Sequence, residues 1–305
     1  MKSYLISGLS ILFVALHLVQ GNTCLAQGSP KISFSLTQAL GQPGRITELN
    51  LRGQGLELLP PSVGQLRRLR LLFAHENHLR HLPEDLTQLD SLRVLFLNKN
   101  GLLDLPPTLG KLQRLRQLQI EQNVLTELPP SIGDLDSLRY LMSAHNNFTS
   151  LPEQLGQLAQ LEYCDISHNQ LLFLPESVSR LGALRYVYLN DNKLQHLPAQ
   201  LGAWTKVEEL NLSNNQLEEL PASIGSCQNL KVLILSGNQL KKLPKSLGRL
   251  NQLEILILND NQLTALPRSL SRLKRLKTVI VKQNAFTAET RRQAETALPG
   301  AKLYF

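Results

Sequence analysis

From Ile46 to Phe286 the chain repeats itself every 23 residues. Leu69, Leu92, Leu115, Leu138, Leu161, Leu184, Val207, Leu230, Leu253 and Leu276 mark one phase, each 23 beyond the last (92 − 69, 115 − 92 and onward). Within a unit the pattern is L-x-x-L-x-L-x-x-N-x-L-x-x-L-P-x-x-L-x-x-L-x-x. A fixed period of this length requires a stacked, quasi-one-dimensional architecture in which each unit packs on its neighbours. It also moves the functional question from a catalytic pocket to an extended surface.

The chemistry of one unit dictates its shape. Leu95 and Leu97 alternate with Val94, Phe96 and Asn98, so a short strand puts the leucines on one face and the others opposite. A parallel strand recurs at this period only if an intervening arm carries the chain back. Asparagine holds the ninth position from Asn77 to Asn284, and only Gln54 departs in the first unit. An amide at a buried turn both donates and accepts, and serves loop backbone that no sheet reaches. Proline follows the turn from Pro60 to Pro267; it fixes φ and suits the first turn of a short helix. Val63 to Leu66 and Leu86 to Leu89 are i, i+3 pairs, which predict a short helical or 3₁₀ outer arm.

These positions, seen in Leu92-Arg93-Val94-Leu95-Phe96-Leu97-Asn98 and repeated through eleven units, resemble the leucine-rich repeat family. The mid-unit Leu-Pro is similar to the 23-residue subclass shared by bacterial proteins and Ras-group relatives. The resemblance implies an α/β fold: a right-handed solenoid curved as a horseshoe, with a parallel inner sheet and short helical or 3₁₀ outer arms. The expected organisation is a leader over residues 1–26, an amino-terminal cap over 27–45, eleven repeats over 46–286 and a carboxy-terminal cap over 287–305. Phe34 to Leu40 reads as a short amphipathic helix covering the first unit. Ala288 to Leu298 reads as a longer helix, followed by Pro299-Gly300 and a strand-like Lys302 to Phe305.

The leader reading rests on Lys2, the apolar run Tyr4 to Val19 and the small-residue end at Leu25-Ala26-Gln27. That apolar run is short of the ~20 residues of a membrane span. Cleaved export is therefore expected, to a periplasmic, cell-surface or extracellular location, with no stable membrane insertion afterwards. Cys24 is not expected to carry lipid, because Gly21-Asn22-Thr23 lacks the aliphatic residue that such a site places three before its cysteine. The formal charge of +8 becomes +7 once Lys2 leaves (8 − 1), a balance that permits acidic partners. Cys164 and Cys227 stand at leucine positions two units apart, about 10 Å at the usual strand spacing and beyond disulfide reach. Two free, buried thiols are expected.

Function is expected at the third and fifth positions of each unit, which point to the side away from the leucines. Tyr140, Tyr163 and Tyr186 stand at third positions on successive strands, with Met142, Asp165 and Tyr188 at fifth positions. Phe73 and Phe96 hold fifth positions earlier in the chain. Tyrosine and methionine are favoured at interfaces. A later aliphatic group, Val232, Ile234, Ile255, Ile257 and Ile280, is equally well explained by strand propensity.

The second position carries Arg70, Arg93, Arg116, Arg139 and Arg185, broken by Glu162. Its plain reading is a solvated rim with Asp90 and Asp136 as counter-charges; its sharper reading is a wall for an acidic protein or glycan. No nucleophile elbow, phosphate loop or zinc-protease helix is present, so no catalytic residue is assigned and no cofactor is expected. His145, His168 and Asp191 stand close enough in the repeat to bind a metal, yet surface histidines need no ligand, and no metal is assigned. No nucleic-acid-binding module appears. The expected partner is a protein or peptide on the concave face; the alternative is an acidic glycan or envelope surface held by the arginine column.

Overall fold

A computed structural model of the chain describes residues 31–305; the expected leader over 1–26, its cleavage site and Cys24 lie outside the described residues. Each unit contributes one very short strand and one returning arm, as the alternation and the proline spacing require. The strands are β1 (Lys31–Ser33), β2 (Ile46–Asn50), β3 (Leu71–Phe73), β4 (Val94–Phe96), β5 (Gln117–Gln119), β6 (Tyr140–Met142) and β7 (Tyr163–Asp165). They continue as β8 (Tyr186–Tyr188), β9 (Glu209–Asn211), β10 (Val232–Ile234), β11 (Ile255–Ile257), β12 (Thr278–Ile280) and β13 (Lys302–Tyr304). All thirteen lie in one open sheet in sequence order. From β2 onward neighbours pair in parallel, with Leu72 beside Leu95, Leu95 beside Leu118 and Leu118 beside Leu141. The step is 23 residues until the last, where Thr278 pairs with Lys302.

The outer arms are 3₁₀ turns, such as Pro61–Gln65, Glu84–Gln88 and Pro130–Asp134. A proline just before or at the first turn residue supplies the fixed φ that starts each of these. Between sheet and arms runs one continuous core of leucines, from Leu49 and Leu72 through Leu95, Leu118 and Leu141 to Leu256 and Val279, all fully buried. Because every layer repeats the same contacts, burial grows with repeat number rather than with a single centre.

The turn after each strand is built twice over. The eighth position takes positive φ in every unit, from 53° at Lys99 to 67° at Gly237. Only Gly53 and Gly237 are glycine there; Glu76, Lys99, Gln122, His145, His168, Asp191, Asn214, Asp260 and Gln283 adopt the left-handed conformation with a full side chain. The asparagine that follows holds the turn closed. Asn123 Nδ2 donates to Leu97 O (3.1 Å) and Ile120 O (3.0 Å), while its Oδ1 accepts Leu102 N–H (3.1 Å) from the preceding unit. The same triple recurs at Asn146, Asn169, Asn192 and Asn215. A ladder of amides thus satisfies the loop backbone along the whole stack.

Both ends differ from the repeat. The amino-terminal helix α1 runs Leu36–Leu40, later than the expected start at Phe34, because Ser35 caps it by accepting Gln38 N–H. Phe34 is 65% exposed rather than packed over the first unit. The strand β1 ahead of it has no counterpart in the repeat pattern. The carboxy-terminal helix α2 spans Ala288–Ala297, opened by a capping box between Thr287 and Thr290. Phe305 then packs on Phe286 with ring centroids 5.4 Å apart. Cys164 and Cys227 are free and buried, as expected of small hydrophobes at leucine positions. No helix among the described residues is long and apolar enough to cross a membrane.

Candidate functional site

The side of the sheet turned away from the leucine core carries the third- and fifth-position side chains. Register places Tyr140, Tyr163 and Tyr186 side by side, with Met142, Asp165 and Tyr188 in the next row. These residues are brought together as their spacing requires, but they do not form an open patch. Tyr163 is 3% exposed, Tyr188 6% and Met142 1%, while Tyr140 and Tyr186 are half-buried. The three buried side chains are absent from the leucine core cluster, so neighbours on their own face cover them. Tyr163 sits 6.3 Å from Tyr186 and 5.5 Å from Tyr188 between ring centroids. Large side chains on strands about 4.8 Å apart shield one another, which the alternation of a single strand does not reveal.

Acidic groups lie beside these tyrosines. Asp165 is half-buried in that row, its Oδ1 accepting Ser167 Oγ–H (2.6 Å) and Ser167 N–H (3.0 Å). Burial raises its carboxyl despite those bonds. Burial, with Asp165 adding, pushes Glu121 up to about 7. Glu121 Oε2 accepts from Asn98 Nδ2 at 2.7 Å, and the same amide donates to Gln119 Oε1 at 3.0 Å. Burial first, then the charges of Asp165 and Glu209 respectively, raises the Tyr163 and Tyr188 hydroxyls. Sequence reasoning did not single out Glu121, which stands at the seventh position, beyond the strand proper. Its signal was a carboxylate where neighbouring units place Asn98, Ala144 and Ser167.

The arginine column divides in two. Arg139 is paired with Glu162 at 2.6 Å, and Arg185 with Glu208, which also holds Lys231 at 2.7 Å. Arg70, Arg93 and Arg116 form no ion pair among the described residues. The counter-charge expected from Asp90 goes instead to Arg67 (3.2 Å), and Asp136 pairs with none of the column. Burial, then the neighbouring guanidiniums of Arg116, Arg70 and Arg114, lowers Arg93 from its ordinary value. Beside this unpaired set lie Phe73 and Phe96, half-buried, with centroids 5.0 Å apart and planes at 78°. His75 packs edge-on to both rings, at 6.4 Å and 6.2 Å.

The paired histidines approach as their positions allow. His145 and His168 stack with centroids 4.0 Å apart and planes within 7°, and His168 Nε2 lies 3.4 Å from Asp191 Oδ2. Burial and His168 lower His145, against the pull of Asp165 and Asp191. Among the described residues no three metal-ligating side chains gather into a site. Farther along, Val232, Ile234, Ile255, Ile257 and Ile280 line the same face half-buried.

Comparison with known proteins places this geometry in a family. A profile of the leucine-rich repeat region matches residues 130–216, and a leucine rich repeat profile matches 205–263 and 228–286. Together they span 157 of 305 residues (286 − 130 + 1). No curated protein matches the chain. The solved structure of PEPR1-AtPEP1 is 26% identical with a TM-score of 0.69, over 91% of this chain and 44% of that one. The plant peptide hormone receptor RGFR1 in complex with RGF2 is 24% identical with a TM-score of 0.66, over 85% and 47%. An LRR protein of Leptospira interrogans is 26% identical with a TM-score of 0.49, over 91% and 100%. The chain thus spans just under half the length of the PEPR1 and RGFR1 chains.

Proposed function

The chain belongs to the leucine-rich repeat proteins, and on that premise we propose that it is a non-catalytic module that holds a protein or peptide across its concave sheet. The observation that carries this is the row of large side chains the fold does not use. Phe73, Phe96, Tyr140 and Tyr186 stay half-buried on the inner face, outside the leucine core. Aromatic groups presented in this way on a rigid scaffold are typical anchors for a partner. The similarity to PEPR1, solved with AtPEP1, supports a binding role in kind. In this reading Tyr163, Tyr188, Met142 and Asp165 form the floor that fixes Tyr140 and Tyr186, and Arg70, Arg93 and Arg116, which no carboxylate of the chain pairs among the described residues, set the rim. Residues 1–26 act as a cleaved leader, so the partner is met outside the cytoplasm, and the stretches 27–45 and 287–305 cap the eleven repeats.

An acidic glycan along the arginine column has weaker support. A long polyanion needs a continuous positive row, and Glu162 and Glu208 interrupt it while neutralising Arg139 and Arg185. The test of the main reading is affinity for a partner captured from the native compartment. Tyr140→Ala with Tyr186→Ala is expected to weaken it more than about tenfold, with an unchanged circular dichroism spectrum. Unchanged affinity refutes the assignment of the inner face.

A further inference from the structure

We propose that the partner is an extended acidic peptide segment and that it docks on the first third of the concave sheet, between β3 and β5. Its carboxylates sit on Arg70, Arg93 and Arg116, and an apolar side chain rests on Phe73 and Phe96. This rests on the concave face being the binding surface and says where on it, and with what chemistry.

Three observations converge there. Register sets Leu71, Val94 and Gln117 side by side, so the arginines that precede them stand on successive strands about 4.8 Å apart. Like charges at that spacing repel. Elsewhere along the rim the chain relieves the repulsion with its own carboxylates; here, among the described residues, it does not. Guanidiniums left in this state are ready donors to a carboxylate.

The second observation is polar. Gln117 is 1% exposed, yet its Nε2 has no hydrogen-bond partner within the chain, and neither have His75 Nδ1 and Asn98 Oδ1. All three buried atoms belong to the same stretch of the inner face. The other atoms in this state among the described residues, the hydroxyls of Ser177, Ser246 and Ser269, lie on the outer arms. Leaving a buried polar atom unmet is costly, and an incoming backbone offers both carbonyl acceptors and N–H donors. The third observation is the half-buried Phe73–Phe96 pair between them, an apolar seat of one or two side chains. A uniformly charged polysaccharide would meet Glu162 at the next break in the row and has no use for that seat.

The test is selection of a random library of short linear peptides on the purified protein, on the Arg70→Gln/Arg93→Gln/Arg116→Gln variant, and on Arg139→Gln/Arg185→Gln. Enriched peptides are expected to carry Asp or Glu beside an aromatic or aliphatic residue. Their affinity should fall more than about tenfold in the triple variant and with rising salt, but less than about twofold in the double variant. Peptides without acidic bias, or bound equally well by the triple variant, overturn this inference; if they still lose affinity on Tyr186→Ala, the concave reading survives it. No enriched peptide, with polygalacturonate binding through the same arginines, overturns both. Matching circular dichroism spectra for the three proteins keep the comparison on binding rather than folding.

Discussion

The Tyr163 ring packs 5.5 Å from Tyr188, on the concave side of a sheet whose other face is the leucine-rich core. The middle of the inner wall is therefore a second, small packed layer rather than an open patch, and its members divide into floor and surface.

That division separates stability from affinity. Tyr163→Ala is expected to cost about 3 kcal/mol, as for removal of a buried aromatic ring. Tyr186→Ala, half-buried beneath Arg185 at 5.9 Å, should stay within about 1 kcal/mol. Urea unfolding of the two variants checks this, and equal costs would mean that both rings are floor.

The partly buried carboxylates beside the tyrosines make stability depend on pH. Glu121 is raised to about 7 in the folded chain by burial and Asp165, against an ordinary value near 4.5. Between those values the folded state holds a proton that the unfolded chain releases, so stability falls as pH rises from about 4.5 to 7 and stays reduced above. Glu121→Gln keeps an acceptor for Asn98 and removes the charge. It should stabilise the protein by about 1–2 kcal/mol at pH 8 and by little at pH 4.5, read as paired melting curves. The Asn98 hydrogen bond, which favours the ionised form, holds the gain to that range.

The asparagine ladder should be individually sensitive. Asn169 Oδ1 accepts Phe148 N–H at 3.0 Å and its Nδ2 serves Ser143 O and Ile166 O at 3.2 Å. Asn169→Ala leaves these buried groups unmet and is expected to cost about 1–3 kcal/mol. Calorimetry of the variant measures the loss; a neutral effect would show that the turn closes without its amide.

The two thiols should be chemically silent. Burial pushes Cys164, with Asp165 adding, and Cys227 up to about 12. Iodoacetamide at pH 8, followed by peptide mass spectrometry, should leave both unmodified in the native protein and alkylate both in urea.

The period made the scaffold readable, because each leucine, asparagine and proline is fixed by contacts with its own copies one coil away. The strand β1 and the late start of α1 were not readable, since Lys31–Ser33 and Ser35 have no copies to compare. Exposure on the inner face was hidden for a different reason: whether Tyr163 is covered depends on the sizes of side chains on two neighbouring strands. The charge pattern, by contrast, was legible in a form specific to solenoids. Arg139 and Glu162, Arg67 and Asp90, Lys277 and Glu254 are each 23 apart, and each forms an ion pair. An opposite charge one period away plays the part that i, i+4 plays on a helix. By that rule Arg70 faces Arg93, and Arg93 faces Arg116.

Photo-cross-linking tests the central claim most directly. A benzophenone side chain is placed at Phe96 or Tyr186 on the inner wall, or at Gln157 on an outer arm, and the bound peptide or protein is identified after illumination. Adducts from positions 96 and 186, with position 157 silent, are the predicted result. Adducts from position 157 alone would put the partner on the outside of the coil and contradict the account.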